Sequence, residues 1–252
     1  MNIWILTSEY PPEYGGGIGM YVHNAAEMFA KANHHVTVFV RDSKSDAVEY
    51  PHQNLRVVRF LHMKGEYYSY LGYWTALAYQ YAEEVISLIK KDRVKPDIIE
   101  VQDYNAIGYY LLLRKWQNEE VLKDIPIIVH LHTPTFELDR INQAPRYKFP
   151  NYWIGQMEKF CMRAADALLC PSRFLKDQIQ YVAPNNPIKV IPLPYDLDDY
   201  REGYYRNFES DTFLYFGRIE YRKGVVQMLK GAENLWKQGY NFKLKLVGGD
   251  TY

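Results

Sequence analysis

Short, nearly continuous apolar runs alternate along this chain with longer amphipathic ones, and the short runs decide what it can become. Val36-Thr37-Val38-Phe39-Val40 and Pro126-Ile127-Ile128-Val129 offer no polar face. Strands of that kind are expected where a parallel sheet is covered by helices on both sides. The pattern predicts strands near Asn2 to Leu6, His35 to Val40, Leu55 to Leu61, Asp97 to Val101, Ile125 to Leu131, Ala167 to Cys170 and Ile188 to Ile191, with helices filling most of the gaps. The fold class is therefore α/β, a doubly wound, parallel-sheet, Rossmann-like domain whose ligands sit at the carboxyl ends of the strands. From Pro192 to Phe208 prolines, charges and aromatics mix without periodicity, as a linker does. Beyond it come strand Thr212 to Phe216, whose apolar Phe213-Leu214-Tyr215-Phe216 reads as buried, helix Lys223 to Lys237 and strand Phe242 to Val247, a single βαβ unit. The domain reading is 1–195 for the first domain, 196–211 for the linker, and 212–252 for the start of a truncated second Rossmann-like domain.

Composition narrows the partners. Lys plus Arg and Asp plus Glu number 30 each, so no overall field draws nucleic acid, and an anion site has to be built locally. The start Asn2-Ile3-Trp4-Ile5-Leu6 lacks the basic flank and length of a signal peptide, and no apolar run approaches ~18 residues. The expected location is cytoplasmic, with peripheral contact to the inner face of a membrane left open. Cys161 and Cys170 have no partners at zinc-site spacing and read as buried free thiols. The 24 tyrosines are densest from Tyr67 to Tyr73, where a sugar-stacking platform, an interfacial patch and the start of a helix all compete. Helical spacing from Leu71 through Trp74, Leu77, Ala78, Tyr81, Val85 and Ile89 favours the helix.

Chemistry-bearing residues gather after the strands. Gly15-Gly16-Gly17-Ile18-Gly19 follows the first strand, and backbone amides at a helix start reach an anion only where side chains stay out of the way. Gly16 and Gly17 are the phosphate candidates, against the plainer reading of a flexible turn. A nicotinamide fingerprint is broken by Val22, which leaves Asp42 after the second strand as a coincidence. Near the other end Gly217-Arg218 and Lys223-Gly224 place a forked cation and a point charge five positions apart, either a diphosphate clamp or two solvated surface cations. His132 closes its strand before Thr133-Pro134 and is placed to donate a hydrogen bond to a sugar hydroxyl or a transferring group, with His130 deeper on the same face. Asp103, with Tyr104 beside it, is a cap for a helix over 105–116 or a hydroxyl acceptor. Glu158 reads as support for the site or the core, and Ser172 as a helix N-cap.

Gly15-Gly16-Gly17, the strand ending in His132, Ala164-Ala165-Asp166-Ala167 leading to Pro171-Ser172, Val190-Ile191-Pro192 leading to Asp196, and Gly217-Arg218 with Lys223-Gly224 occur in an order that resembles the family 4 retaining glycosyltransferases. The resemblance implies the GT-B arrangement of two Rossmann-like domains with the active site between them. It further implies a nucleotide diphosphate sugar as donor and a glycan, lipid or small-molecule hydroxyl as acceptor. Gly16, Gly17, Arg218 and Lys223 would contact the donor phosphates, His132 would sit by the transferred sugar, and Asp103 and Tyr104 would lie on the acceptor side. No metal or other cofactor is implied. Pro192-Leu193-Pro194-Tyr195-Asp196 departs from the Asn-Gly that relatives often carry before the aspartate. The family's paired-glutamate motif is expected beyond Tyr252, so the chain alone is expected to transfer sugar poorly. Competing readings are a nucleotide-sugar epimerase, a glycan-binding module without catalysis, and, least favoured, a dehydrogenase.

Overall fold

The computed structural model describes residues 1–12, 16–145, 147–195 and 211–249. The chain packs as two compact units, Met1–Glu137 with Tyr147–Asp196, and Leu138–Arg146 with Leu197–Tyr252. Asp196, Asp250 and most of the expected linker lie outside the described residues, as does Gly15.

In chain order the first part runs β1 (Asn2–Thr7), α1 (Gly17–Lys31), β2 (His35–Asp42), β3 (Ala47–His52), β4 (Leu55–Leu61), α2 (Tyr67–Leu71), α3 (Tyr73–Asp92) and β5 (Ile98–Gln102). It continues through α4 (Tyr109–Trp116), β6 (Ile127–His130), α5 (Thr135–Ile141), α6 (Asn151–Ala164), β7 (Ala167–Cys170), α7 (Arg173–Ile179) and β8 (Ile188–Val190). These strands make one sheet in the order β3-β4-β2-β1-β5-β6-β7-β8. Every pairing is parallel except β3 with β4. The order reverses at β1, which pairs with β2 on one side and β5 on the other, and such a switch point opens a crevice at the carboxyl ends of the strands.

Strand β1 shows why the sheet needs apolar residues on both faces. Trp4 and Leu6 enter one buried cluster with residues of α3, α4 and α6, whereas Ile3 and Ile5 enter the other with Tyr21, Val22, Ala25 and Ala26 of α1. A fully buried aliphatic side chain contributes about 1.5–3 kcal/mol, so a strand apolar on alternate faces binds both helical layers to one sheet. Cys161 and Cys170 are buried and unpaired with each other. Among the described residues no helix is long and apolar enough to cross a membrane.

Three elements differ from expectation. Strand β3 was not foreseen, because it is an exposed antiparallel edge carrying Pro51, which fits an edge and no interior strand. The tyrosine-rich segment is two helices, since Gly72 (φ 74°) breaks the spiral between α2 and α3. Its rings mostly meet one another, Tyr67 against Tyr68 and Tyr79, and Tyr68 against Tyr73. Helix α4 begins at Tyr109 rather than Asn105, after a separate turn over Tyr104–Ala106.

In the second unit β9 (Thr212–Phe216) and β10 (Lys243–Val247) form a parallel pair, with α8 (Val225–Lys237) between them in sequence. The sequence predicted a buried β9 and a helix from Lys223. Instead Phe213, Leu214 and Phe216 are exposed, as a strand with one neighbour leaves them, and a left-handed Gly224 (φ 72°) delays the helix to Val225. The strand ends are knit by Gly217 N–H to Val247 O (2.9 Å) and Ile219 N–H to Gly249 O (2.9 Å). At Gly248 (φ 154°) a Cβ would fall 1.9 Å from the Gly217 carbonyl oxygen. Gly248→Ala is expected to destabilise this unit by on the order of 1–3 kcal/mol. Amide hydrogen exchange should speed up in β9 and β10 and stay unchanged in β1 and β5.

Candidate functional site

The loops after β1, β5 and β6 meet the switch point, and alternation places their side chains. In β5, Ile99 and Val101 face the helical core while Glu100 and Gln102 face the α1 side. In β6 and just beyond it, Val129 and Leu131 do the former, His130 and His132 the latter. Tyr21 of α1 covers the group, its ring 4.5 Å from that of His130 and 5.0 Å from that of His132. Glu100 Oε1 accepts from Tyr21 OH (2.7 Å) and Gln102 Nε2 (3.0 Å), and lies 3.2 Å from His130 Nδ1. Burial disfavours charge on Glu100, yet the bond to His130 and its charge, with the bonds from Gln102 and Tyr21, hold its carboxyl below the usual range. His132 Nε2 is 2.6 Å from Gln102 Oε1, and its ring stacks on His130 at 4.8 Å and 14°.

Burial, aided by the neighbouring His130, pushes the His132 imidazole down to about 3. An unfolded histidine takes its proton near 6.5, which the folded ring declines until far lower pH. The unfolded state therefore binds more protons in that window, and this residue lowers stability as pH falls through 6.5 towards 3. His132→Asn should flatten that part of the stability profile, as urea melts at pH 7 and 4.5 would show.

Asp103 is buried, and its Oδ2 accepts the His132 N–H (3.0 Å). Its carboxyl does not cap the following turn, contrary to one of its two sequence readings. Burial pushes it up to about 7, against the stabilising amide of His132, and Oδ1 has no partner among the described residues. Tyr104, half-buried, opens the turn in which Asn105 (φ 60°) and Ala106 (φ 53°) are left-handed. For alanine this conformation costs roughly 1–2 kcal/mol. Glu158 of α6 holds the turn in place. Its Oε1 accepts from Asn105 N (3.1 Å) and Thr135 N (2.8 Å), its Oε2 from Phe136 N (3.2 Å), so one buried side chain fastens the loops after β5 and β6 together.

After β1, α1 starts at Gly17 with no side-chain cap and no acidic residue in its first turn. Gly16 and Gly17 are exposed; a Cβ at Gly17 would meet nothing within 4 Å and one at Gly16 only Glu9 Oε2 at 3.8 Å, so packing among the described residues does not require these glycines. Open amides at the positive end of a helix form an anion seat. Two side chains that sequence reasoning missed position the loop. Tyr81 OH bonds the Thr7 carbonyl at the end of β1 and receives Arg41 N–H (3.2 Å), and buried Arg59 pairs with Glu49 (2.7 Å) while reaching the Pro11 carbonyl. No spacing rule marks either one. Asp42 receives the N–H groups of Lys44 (2.6 Å) and Ser45 (3.3 Å), a turn role. Ser172 caps α7 through Leu175 N–H (3.2 Å).

In the second unit Arg218 is about half exposed and lies 3.6 Å from Glu220, which Arg222 engages at 2.8 Å. Lys223 ends the short turn Tyr221–Lys223 and is exposed. Glu220, which the sequence reading passed over, holds Arg222 and leaves most of the Arg218 fork open.

Residues 15–199 match the family model described as Glycosyltransferase Family 4. A glycogen synthase of Mycobacterium tuberculosis is 23% identical over 280 residues, which cover 100% of this chain and 62% of that protein. An uncharacterized glycosyltransferase of Methanocaldococcus jannaschii is 21% identical over 264 residues, covering 98% and 63%. The chain thus spans a little over three fifths of these relatives. Among solved structures, the sucrose-phosphate synthase of Thermosynechococcus elongatus superposes with a TM-score of 0.66 at 14% identity, over 98% of this chain and 70% of that one. The starch synthase IV catalytic domain of Arabidopsis thaliana, bound to ADP and acarbose, gives 0.63 at 13%, over 100% and 69%.

Proposed function

Since the chain belongs to glycosyltransferase family 4, we propose that it serves to transfer a sugar from a nucleotide diphosphate sugar to a hydroxyl of a glycan, lipid or small molecule, with retention at the anomeric carbon. The observation that carries this reading is the uncapped start of α1, where exposed Gly16 and Gly17 carry no side chain over the first amides and the first turn itself holds no acidic residue, Glu9 being the neighbouring carboxylate. In the second unit, Arg218 and Lys223 are exposed cations of the kind that pair with a diphosphate. As the glycosidic bond breaks, negative charge grows on the leaving nucleoside diphosphate, and these groups can meet it without a metal ion. The leaving phosphate accepts the acceptor's proton. His132 lies by the transferred sugar, and Asp103 and Tyr104 on the acceptor side. The domain division 1–195, 196–211 and 212–252 belongs to the same reading, and so does weak turnover by the 252-residue chain alone. Its exposed Phe213, Leu214 and Phe216 support that last point.

Calorimetric titration of the intact gene product with UDP, ADP, GDP and their glucose conjugates tests the reading. One nucleotide series should bind, and the free diphosphate should compete with its sugar conjugate. Absence of binding across the panel would remove the assignment.

A further inference from the structure

The hydrogen-bond chain beneath His132 has a direction, and the direction fixes which ring nitrogen faces outward. Glu100 Oε1 is the terminus, with Tyr21 OH, Gln102 Nε2 and His130 Nδ1 converging on it at 2.7, 3.0 and 3.2 Å. An ionised carboxylate only accepts, so the Gln102 amide must turn its NH2 group towards Glu100. The Gln102 carbonyl then faces the other way, 2.6 Å from His132 Nε2. A carbonyl oxygen also only accepts, so Nε2 carries the proton, and a neutral imidazole protonated there has a bare Nδ1. Nδ1 has no hydrogen-bond partner among the described residues, and His132 is only partly buried. Gln102 itself is 1% exposed and cannot reach a ligand.

We propose that Gln102 is a positioning residue that, oriented by Glu100, locks His132 as the Nε2–H tautomer and makes Nδ1 a hydrogen-bond acceptor for a hydroxyl of the bound sugar. This rests on the transferase reading only for the identity of the ligand; the tautomer stands on geometry alone. It replaces the donor role that the sequence suggested for His132. A ligand group at Nδ1 must bring a proton, so a hydroxyl is accepted there and a phosphate or carbonyl oxygen is refused. A deoxy or O-methyl analogue at the contacted hydroxyl would lose about tenfold in affinity, the weight of one neutral hydrogen bond.

The test is side-chain nitrogen NMR of the ¹⁵N-histidine-labelled 252-residue chain, with His132→Asn assigning the resonance. At pH 7 His132 should be neutral with Nε2 protonated. Gln102→Leu and, separately, the isosteric Glu100→Gln, whose amide lets Gln102 turn over, should each give a mixture of tautomers while leaving the backbone spectrum of β2 and β4 unchanged. A wild-type ring protonated at Nδ1 would overturn the proposal, as would unchanged tautomers in a folded variant. In the intact gene product Gln102→Leu should lower kcat about tenfold while the affinity for free nucleoside diphosphate stays within twofold. Lost diphosphate affinity would count against the positioning role. If no sugar is transferred at all, the transferase reading fails and the tautomer result stands on its own.

Discussion

Replacing Glu158 with alanine should lower the stability of the first unit by about 3–5 kcal/mol, because three backbone N–H groups from two loops lose their acceptor at once. The loss falls on a turn that already carries left-handed Asn105 and Ala106, so the segment from Asp103 to Ala106 should loosen first. Urea denaturation measures the cost, and hydrogen exchange locates it. Glu158→Gln keeps one acceptor oxygen and should cost about 1–2 kcal/mol, chiefly at Phe136. The two variants also separate a pH effect. Burial, with the nearby Asp103 adding to it, pushes the Glu158 carboxyl up to about 8 against the opposing influence of Thr135 and the Phe136 amide. A carboxyl raised above its unfolded value favours folding fully below that value, near 4.3, and its contribution fades as pH rises through 8. Wild-type stability should therefore decline relative to Glu158→Gln between pH 5 and 8.5. A constant difference across that range would mean that Glu158 keeps its ordinary titration.

The second large effect is expected on ligand binding. Combining Arg218→Ala with Lys223→Ala should weaken binding of nucleoside diphosphate to the intact gene product by a hundredfold or more. Each charge-assisted hydrogen bond contributes about 1.5–3 kcal/mol, and the partial exposure of Arg218 places it at the lower end. The loss should shrink at high salt, because the attraction removed is partly screened there. Arg218→Lys should recover little, since a point charge cannot reproduce the fork. Stability should barely change, because Lys223 is exposed and the Arg218–Glu220 contact is long. Unchanged affinity in the double variant would leave these two as the solvated cations of the plainer reading.

The main sheet was legible because doubly covered strands leave an apolar signature that no loop shares; β1, β2, β4, β5, β6, β7 and β8 all stand where Ile, Val, Leu and Phe concentrate. Strand β3 escaped because an exposed edge has no such requirement, and α5, seven residues long, is too short to show periodicity. The buried reading of Phe213 to Phe216 failed for a related reason, as apolar sequence shows what a strand prefers to touch and not whether a neighbour is there. At the site, position in the fold picked out His132, Asp103 and the glycines, since residues following parallel strands face the crevice. Partners remained hidden. Glu100 and Gln102 alternate with apolar residues and could be read only as polar interruptions until β5 and β6 were paired, with Gln102 opposite His130. The convergence of Asn105, Thr135 and Phe136 on Glu158 spans more than fifty positions of chain and has no local pattern.

The central claim is sugar transfer from a nucleotide diphosphate donor, and proton NMR of the anomeric region during incubation of the intact gene product with donor and a mixture of hydroxyl acceptors tests it most directly. The account predicts that one donor disappears, free nucleoside diphosphate accumulates in step, and a new glycoside signal appears with the donor's anomeric configuration. Conversion of one nucleotide sugar into another without diphosphate release would contradict it in favour of an epimerase, and an inverted product would contradict retention.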